Sequence, residues 1–120
     1  MKSDEIIRGI KQGQSEGKIF IKWWRRENDF TDYELSESFI ANADPSHEIA
    51  GYELLDVDEM WDVLKRWKPN GLKRVLTDKG EMIKWQKKGV DGALEVRTCP
   101  LSAQAIMFIF DYETRGDVLG

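Results

Sequence analysis

Hydrophobic positions change rhythm along this chain. Helical spacing is frequent before Gly71, and alternation dominates after it. Ser3 is placed to cap a first helix, with Asp4 and Glu5 in its first turn, where the helix dipole favours anions, and Ile6, Ile7 and Ile10 on its buried side. Gly9, Gly13 and Gly17 recur every four residues and are expected to mark a fraying end and a flexible turn. Lys18 to Trp24 alternates Ile19, Ile21 and Trp23 with Phe20, Lys22 and Trp24, which predicts a strand with apolar groups on both faces.

Two segments carry a helix-start signature. In the first, Thr31 is the cap, Glu34 completes the capping box, and Phe30 staples onto Leu35. Leu35, Phe39 and Ala43 then share a face until Asp44-Pro45 ends the helix. In the second, Asp56 caps, Glu59 answers, and Leu55 pairs with Met60. Met60, Trp61, Leu64 and Trp67 continue that helix to the stop at Pro69-Asn70-Gly71. Between the two, Glu48 to Leu55 reads as a short strand.

Past Gly71, Leu72 to Thr77 and Glu81 to Gln86 flank Asp78-Lys79-Gly80, a tight-hairpin signal. A turn through Gly89 and Gly92 leads to a third run, Ala93 to Thr98. Ala105 to Tyr112, dense in Ile and Phe, reads as a buried strand, with a helix capped by Ser102 as the alternative. The expected architecture is α+β: about three short helices, mostly in the N-terminal half, packed on an antiparallel sheet with a C-terminal meander. Residues 1–120 are expected to form a single globular domain.

Composition supports folding. Aromatic residues run through the chain, and 41% of residues are hydrophobic. A lone Cys99 excludes an intramolecular disulfide. The longest uninterrupted apolar run, Ala105 to Phe110, is too short for a membrane span, and no apolar stretch like a secretory signal follows the N-terminus. A cytoplasmic protein with no membrane partner is expected.

Charge alters the picture most. Residues 29–62 hold eleven carboxylates and no Lys or Arg, whereas residues 63–90 hold nine basic residues against Asp78 and Glu81. The net charge of −4 thus hides blocks of +3, −11, +7 and −3 over residues 1–28, 29–62, 63–90 and 91–120. Helix capping accounts for Asp32, Glu34, Asp56, Asp58 and Glu59. It does not account for Glu37, Asp44, Glu48, Glu53 or Asp62. An anionic surface of this kind suits a basic protein partner, including one that itself holds nucleic acid, since rows of carboxylates can imitate a phosphate backbone. The candidate partner-binding residues are Asp32, Glu37, Asp44, Asp58 and Asp62.

The alternative lies in Trp residues set among cations, which suit stacking on a base while neutralising phosphate. Trp24, Arg25, Arg26, Trp85, Lys87 and Lys88 are the candidates for a nucleotide or a nucleic-acid single strand. Trp23 and Trp67 belong to apolar stripes, which leaves Trp24 and Trp85 for exposure.

Catalytic chemistry has little footing. His47 reads as a loop residue and Cys99 as a packing residue. Gly13 to Lys18 lacks the spacing and hydroxyl of a phosphate loop. Asp56, Asp58 and Asp62 could hold a hard cation only if Asp56 were released from capping. The chain therefore reads as a non-enzymatic binding protein, an acidic-surface inhibitor or adaptor, with no cofactor or metal and with homo-oligomerisation possible. Short, acidic chains without catalytic groups are a common type among inhibitors and adaptors of bacteriophages and mobile elements.

Overall fold

Alternation and helical spacing translate into ten elements. These are α1 (Ser3–Gln14), β1 (Phe20–Trp24), β2 (Thr31–Leu35), α2 (Ser36–Asn42), β3 (Gly51–Leu55), α3 (Val57–Trp67), β4 (Lys73–Thr77), β5 (Gly80–Lys88), β6 (Leu94–Pro100) and α4 (Ala103–Asp111). The computed structural model describes residues 1–25, 31–67 and 71–111, with the backbone alone for residues 67, 87 and 88. The described residues form an α+β fold with four helices and two antiparallel three-stranded sheets, ordered β2-β1-β3 and β4-β5-β6. The chain divides into two compact units, Met1–Met60 and Trp61–Gly120, with the boundary inside α3. Among the described residues no helix is long and apolar enough to cross a membrane.

In the first unit β1 is the central strand. Its register sets Ile21 opposite Glu34 and Leu54, and Trp23 opposite Asp32 and Tyr52. Opposed residues in an antiparallel ladder share a face, so these six side chains lie on one side of the sheet. Ile21 and Trp23 join Ile6 and Ile10 of α1, Phe39 of α2 and Ile49 in a buried cluster, with Tyr52 and Leu54 packed against it. The indole of Trp23 meets the Phe39 ring edge-on, with centroids 6.1 Å apart.

The glycine spacing of α1 has a different meaning from the one expected. Gly9 and Gly13 lie within the helix, not in a frayed end. A Cβ at Gly9 would collide with the Tyr52 hydroxyl, and one at Gly13 would lie 2.5 Å from Leu54 Cδ1. Two missing side chains thus bring α1 close to β3. Gly17, at φ +82°, is the turn residue. Ser3 is not the cap either. Lys2 occupies that position without a side-chain bond, while the buried Ser3 hydroxyl donates to the carbonyl oxygen of Asp44.

The largest correction falls on residues 31–35. Thr31 caps nothing and Glu34 closes no capping box, because this stretch is β2, and α2 begins only at Ser36. A capping box contributes about 1 kcal/mol locally. Here it loses to a five-residue ladder with β1 that Thr and Tyr suit well. The proposed Phe30 staple lies outside the described residues. The second start signal does form: Glu59 N–H donates to Asp56 Oδ1 at 2.8 Å, and Asp56 N–H donates to Glu59 Oε1 at 3.1 Å.

In the second unit the meander appears as expected. Thr77 pairs with Gly80 around Asp78-Lys79, and Gly80 takes φ +107°. The run after Pro100 is a helix, not a strand. Ser102 Oγ accepts from Ala105 N–H at 3.1 Å, and Ile106, Ile109 and Phe110 are buried at helical spacing.

Candidate functional site

A pocket of about 290 Å³ opens at the rim of the first unit's core. Its apolar wall is Trp23, Phe39 and Ile49, and its polar lining includes Arg25, Asp32, Glu34, Asp44 and His47. The pocket follows from the register of β2. Asp32 and Glu34 project from the core-facing side of an edge strand, where the buried cluster gives out, so their carboxylates border a hollow rather than open solvent.

Each polar group is held in place. Glu34 Oε2 accepts from Trp23 Nε1 at 2.6 Å, and Asp32 Oδ1 accepts from Tyr33 N–H at 2.9 Å. The Arg25 guanidinium lies over the Trp23 ring, 5.3 Å from its centroid, and stands 3.4 Å from His47 Nδ1. Asp44 closes an Asx turn, accepting from the backbone N–H and the hydroxyl of Ser46 at 2.9 and 2.8 Å. The Ser46 amide, followed by its hydroxyl, holds the Asp44 carboxyl below the usual range. Among the described residues, three carboxylates and one guanidinium line the pocket, a balance that favours a cationic group.

The structure brings Asp32 and Asp44, the first and third of the five predicted acidic residues, to one pocket. Glu37 is exposed in the first turn of α2, outside the pocket. Asp58 and Asp62 are exposed one turn apart on α3, with Asp62 falling in the second unit. Other carboxylates of the block are engaged locally. Glu48 accepts from the Met1 ammonium at 2.7 Å, which draws its pKa down. Glu59 bonds Lys18 as well as the Asp56 amide; the Lys18 bond is the main reason its carboxyl titrates low and the lysine high. The side-chain carboxylates of Glu37, Glu53 and Asp62 make no hydrogen bond or ion pair among the described residues.

Of the alternative set, Arg25 belongs to the pocket. Trp24 is half-buried beside Gly51, with the Lys22 ammonium 5.9 Å from its ring centroid. Trp85, expected at the surface, is buried, so its ring is not presented for stacking. Arg26 and the side chains of Lys87 and Lys88 lie outside the described residues. Among the described residues no three His, Cys, Asp or Glu side chains are grouped to hold a metal ion, and Asp56 is committed to its cap. Burial raises the pKa of the Cys99 thiol, which disfavours the reactive thiolate.

Glu34 and His47 were missed as site residues because one was assigned to a capping box and the other to a loop. The signal for Glu34 was present in the alternation of Thr31 to Leu35, which puts Asp32 and Glu34 on one strand face. Comparison with protein-family models, curated proteins and solved structures finds no match to this chain.

Proposed function

We propose that this protein acts by binding rather than by catalysis, and that its first unit receives a basic protein partner. The observation that carries this reading is the pocket whose described lining holds three carboxylates, Asp32, Glu34 and Asp44, beside the Arg25 guanidinium. The unit around it adds a long-range field: residues 1–60 hold fourteen Asp and Glu against seven Lys and Arg, a net −7. A Lys or Arg side chain from the partner would enter beside Trp23 and Phe39, its stem on the aromatic wall and its head among the carboxylates. An inhibitor or adaptor of a basic, nucleic-acid-binding protein would use such a surface. Calorimetric titration with defined Arg- and Lys-rich peptides tests the idea. Binding is expected to weaken as salt rises and to be lost in Asp32→Asn/Asp44→Asn. A folded protein that binds none of these peptides at low salt overturns it.

A second reading has its own observation. Lys73 and Lys84 are exposed and directly opposite each other across β4 and β5, in a unit whose net charge is +3. Like charges placed so are destabilising until an anion joins them. A phosphate-bearing ligand such as an oligonucleotide would satisfy the pair through charge, without stacking on Trp85. Fluorescence anisotropy with a labelled single strand, for wild type and Lys73→Glu/Lys84→Glu, separates the two readings; identical curves for the two proteins would rule this one out.

A further inference from the structure

One of the two edge strands of the second sheet, β6, is exposed along nearly its whole length. Of Leu94–Pro100 only Cys99 is even partly covered, and Leu94 and Val96 are 70% and 56% exposed. β6 pairs with β5 along one edge, and among the described residues no strand pairs with the other. Proteins usually protect such an edge with charge of one sign, an internal proline or a covering segment. Here Pro100 stands at the very end, and the charges are one of each sign: Glu95 and Arg97, two residues apart on one face and 3.0 Å apart as an ion pair.

We infer that the outer edge of β6 pairs with β6 of a second copy, antiparallel and centred on Val96. That register sets Val96 against Val96, Leu94 against Thr98, and Glu95 against Arg97 on both sides of the two-fold axis. The four charges then alternate in sign around the axis. Sliding the copies by two residues puts Glu95 against Glu95 or Arg97 against Arg97, so the same charges that favour this register penalise its neighbours. Pairing joins two three-stranded sheets into one of six, satisfies the free backbone edge and covers Leu94 and Val96.

Sedimentation equilibrium of the intact chain tests this inference. A concentration-dependent dimer is expected, weakened by about tenfold or more in Glu95→Arg and restored in Glu95→Arg/Arg97→Glu, with circular dichroism checking that each variant folds. Register is tested by cysteine crosslinking in Cys99→Ser protein. Val96→Cys is expected to form a covalent dimer under mild oxidation, because the two positions face each other. Leu94→Cys is not, because its counterpart is Thr98. A wild type that remains monomeric at all concentrations overturns the inference. So does a dimer indifferent to Glu95→Arg, or one crosslinked through Leu94→Cys but not Val96→Cys.

Discussion

The indole N–H of Trp23 donates to Glu34 Oε2 across 2.6 Å, so a core tryptophan of β1 is tied to a pocket carboxylate of β2. The two are diagonal neighbours in the ladder, since Trp23 lies opposite Asp32 and Ile21 opposite Glu34. Glu34→Ala is expected to lower stability by about 1–3 kcal/mol, because a largely buried donor loses its acceptor. Glu34→Gln should cost less, since its amide oxygen can still accept. Urea unfolding followed by tryptophan fluorescence checks both; equal losses would mean that the bond contributes nothing of its own.

The two helix-start signatures make opposite predictions for the same chemistry. Asp56→Ala removes an observed cap and should cost about 0.5–2 kcal/mol. Thr31→Ala touches an exposed position at the start of β2, where no cap exists, and should stay within about 0.5 kcal/mol. Thermal denaturation of the two variants reads the contrast.

Acid sensitivity should follow the carboxylates whose folded pKa is depressed: Glu59 through Lys18, Asp44 through Ser46, and Glu48 through the Met1 ammonium. A depressed pKa contributes stability above the ordinary carboxylate range and loses it as pH falls through the lowered folded value. Lys18 works in the other direction. Its raised pKa contributes below the ordinary lysine range, and that part is lost only in strong alkali. The melting temperature is therefore expected to hold through neutrality and fall below the carboxylate range. These groups are well exposed, so the effect is modest. Glu59→Gln should flatten the acid limb, which a pH series of melting curves would show.

Gly51 on β3 faces Trp24 across the ladder, and a Cβ there would lie 2.5 Å from Cζ2 and 2.7 Å from Cε2 of the indole. Gly51→Ala should therefore cost about 1–3 kcal/mol by displacing the ring. The entropy that alanine saves in the unfolded chain, about 0.4–1 kcal/mol, offsets only part of this. A red-shifted tryptophan emission should accompany the loss as the ring becomes more exposed.

Legibility in the sequence tracked how local each feature is. The β4–β5 hairpin and the Asp56–Glu59 box were readable because each is specified by residues within a few positions of one another. The pocket was half readable. Asp32 and Asp44 were singled out for their charge, but the grounds for grouping them with Glu34, Arg25 and His47 lie in the pairing of β1 with β2 and the course of the chain after α2.

By itself the sequence determined the α+β class, the C-terminal meander, the start of α3 and the separation of charge. These depend on turn chemistry, capping and alternation, which act over short spans. Only the tertiary structure decided that residues 31–35 are a strand, that Gly9 and Gly13 seat α1 on β3, and that Trp85 turns inward. It likewise decided that the run after Pro100 is a helix. The reason is one of magnitude. A local signal contributes about 1 kcal/mol, whereas a strand ladder or a buried helix face gathers many contacts between residues distant in sequence, and the larger sum prevails.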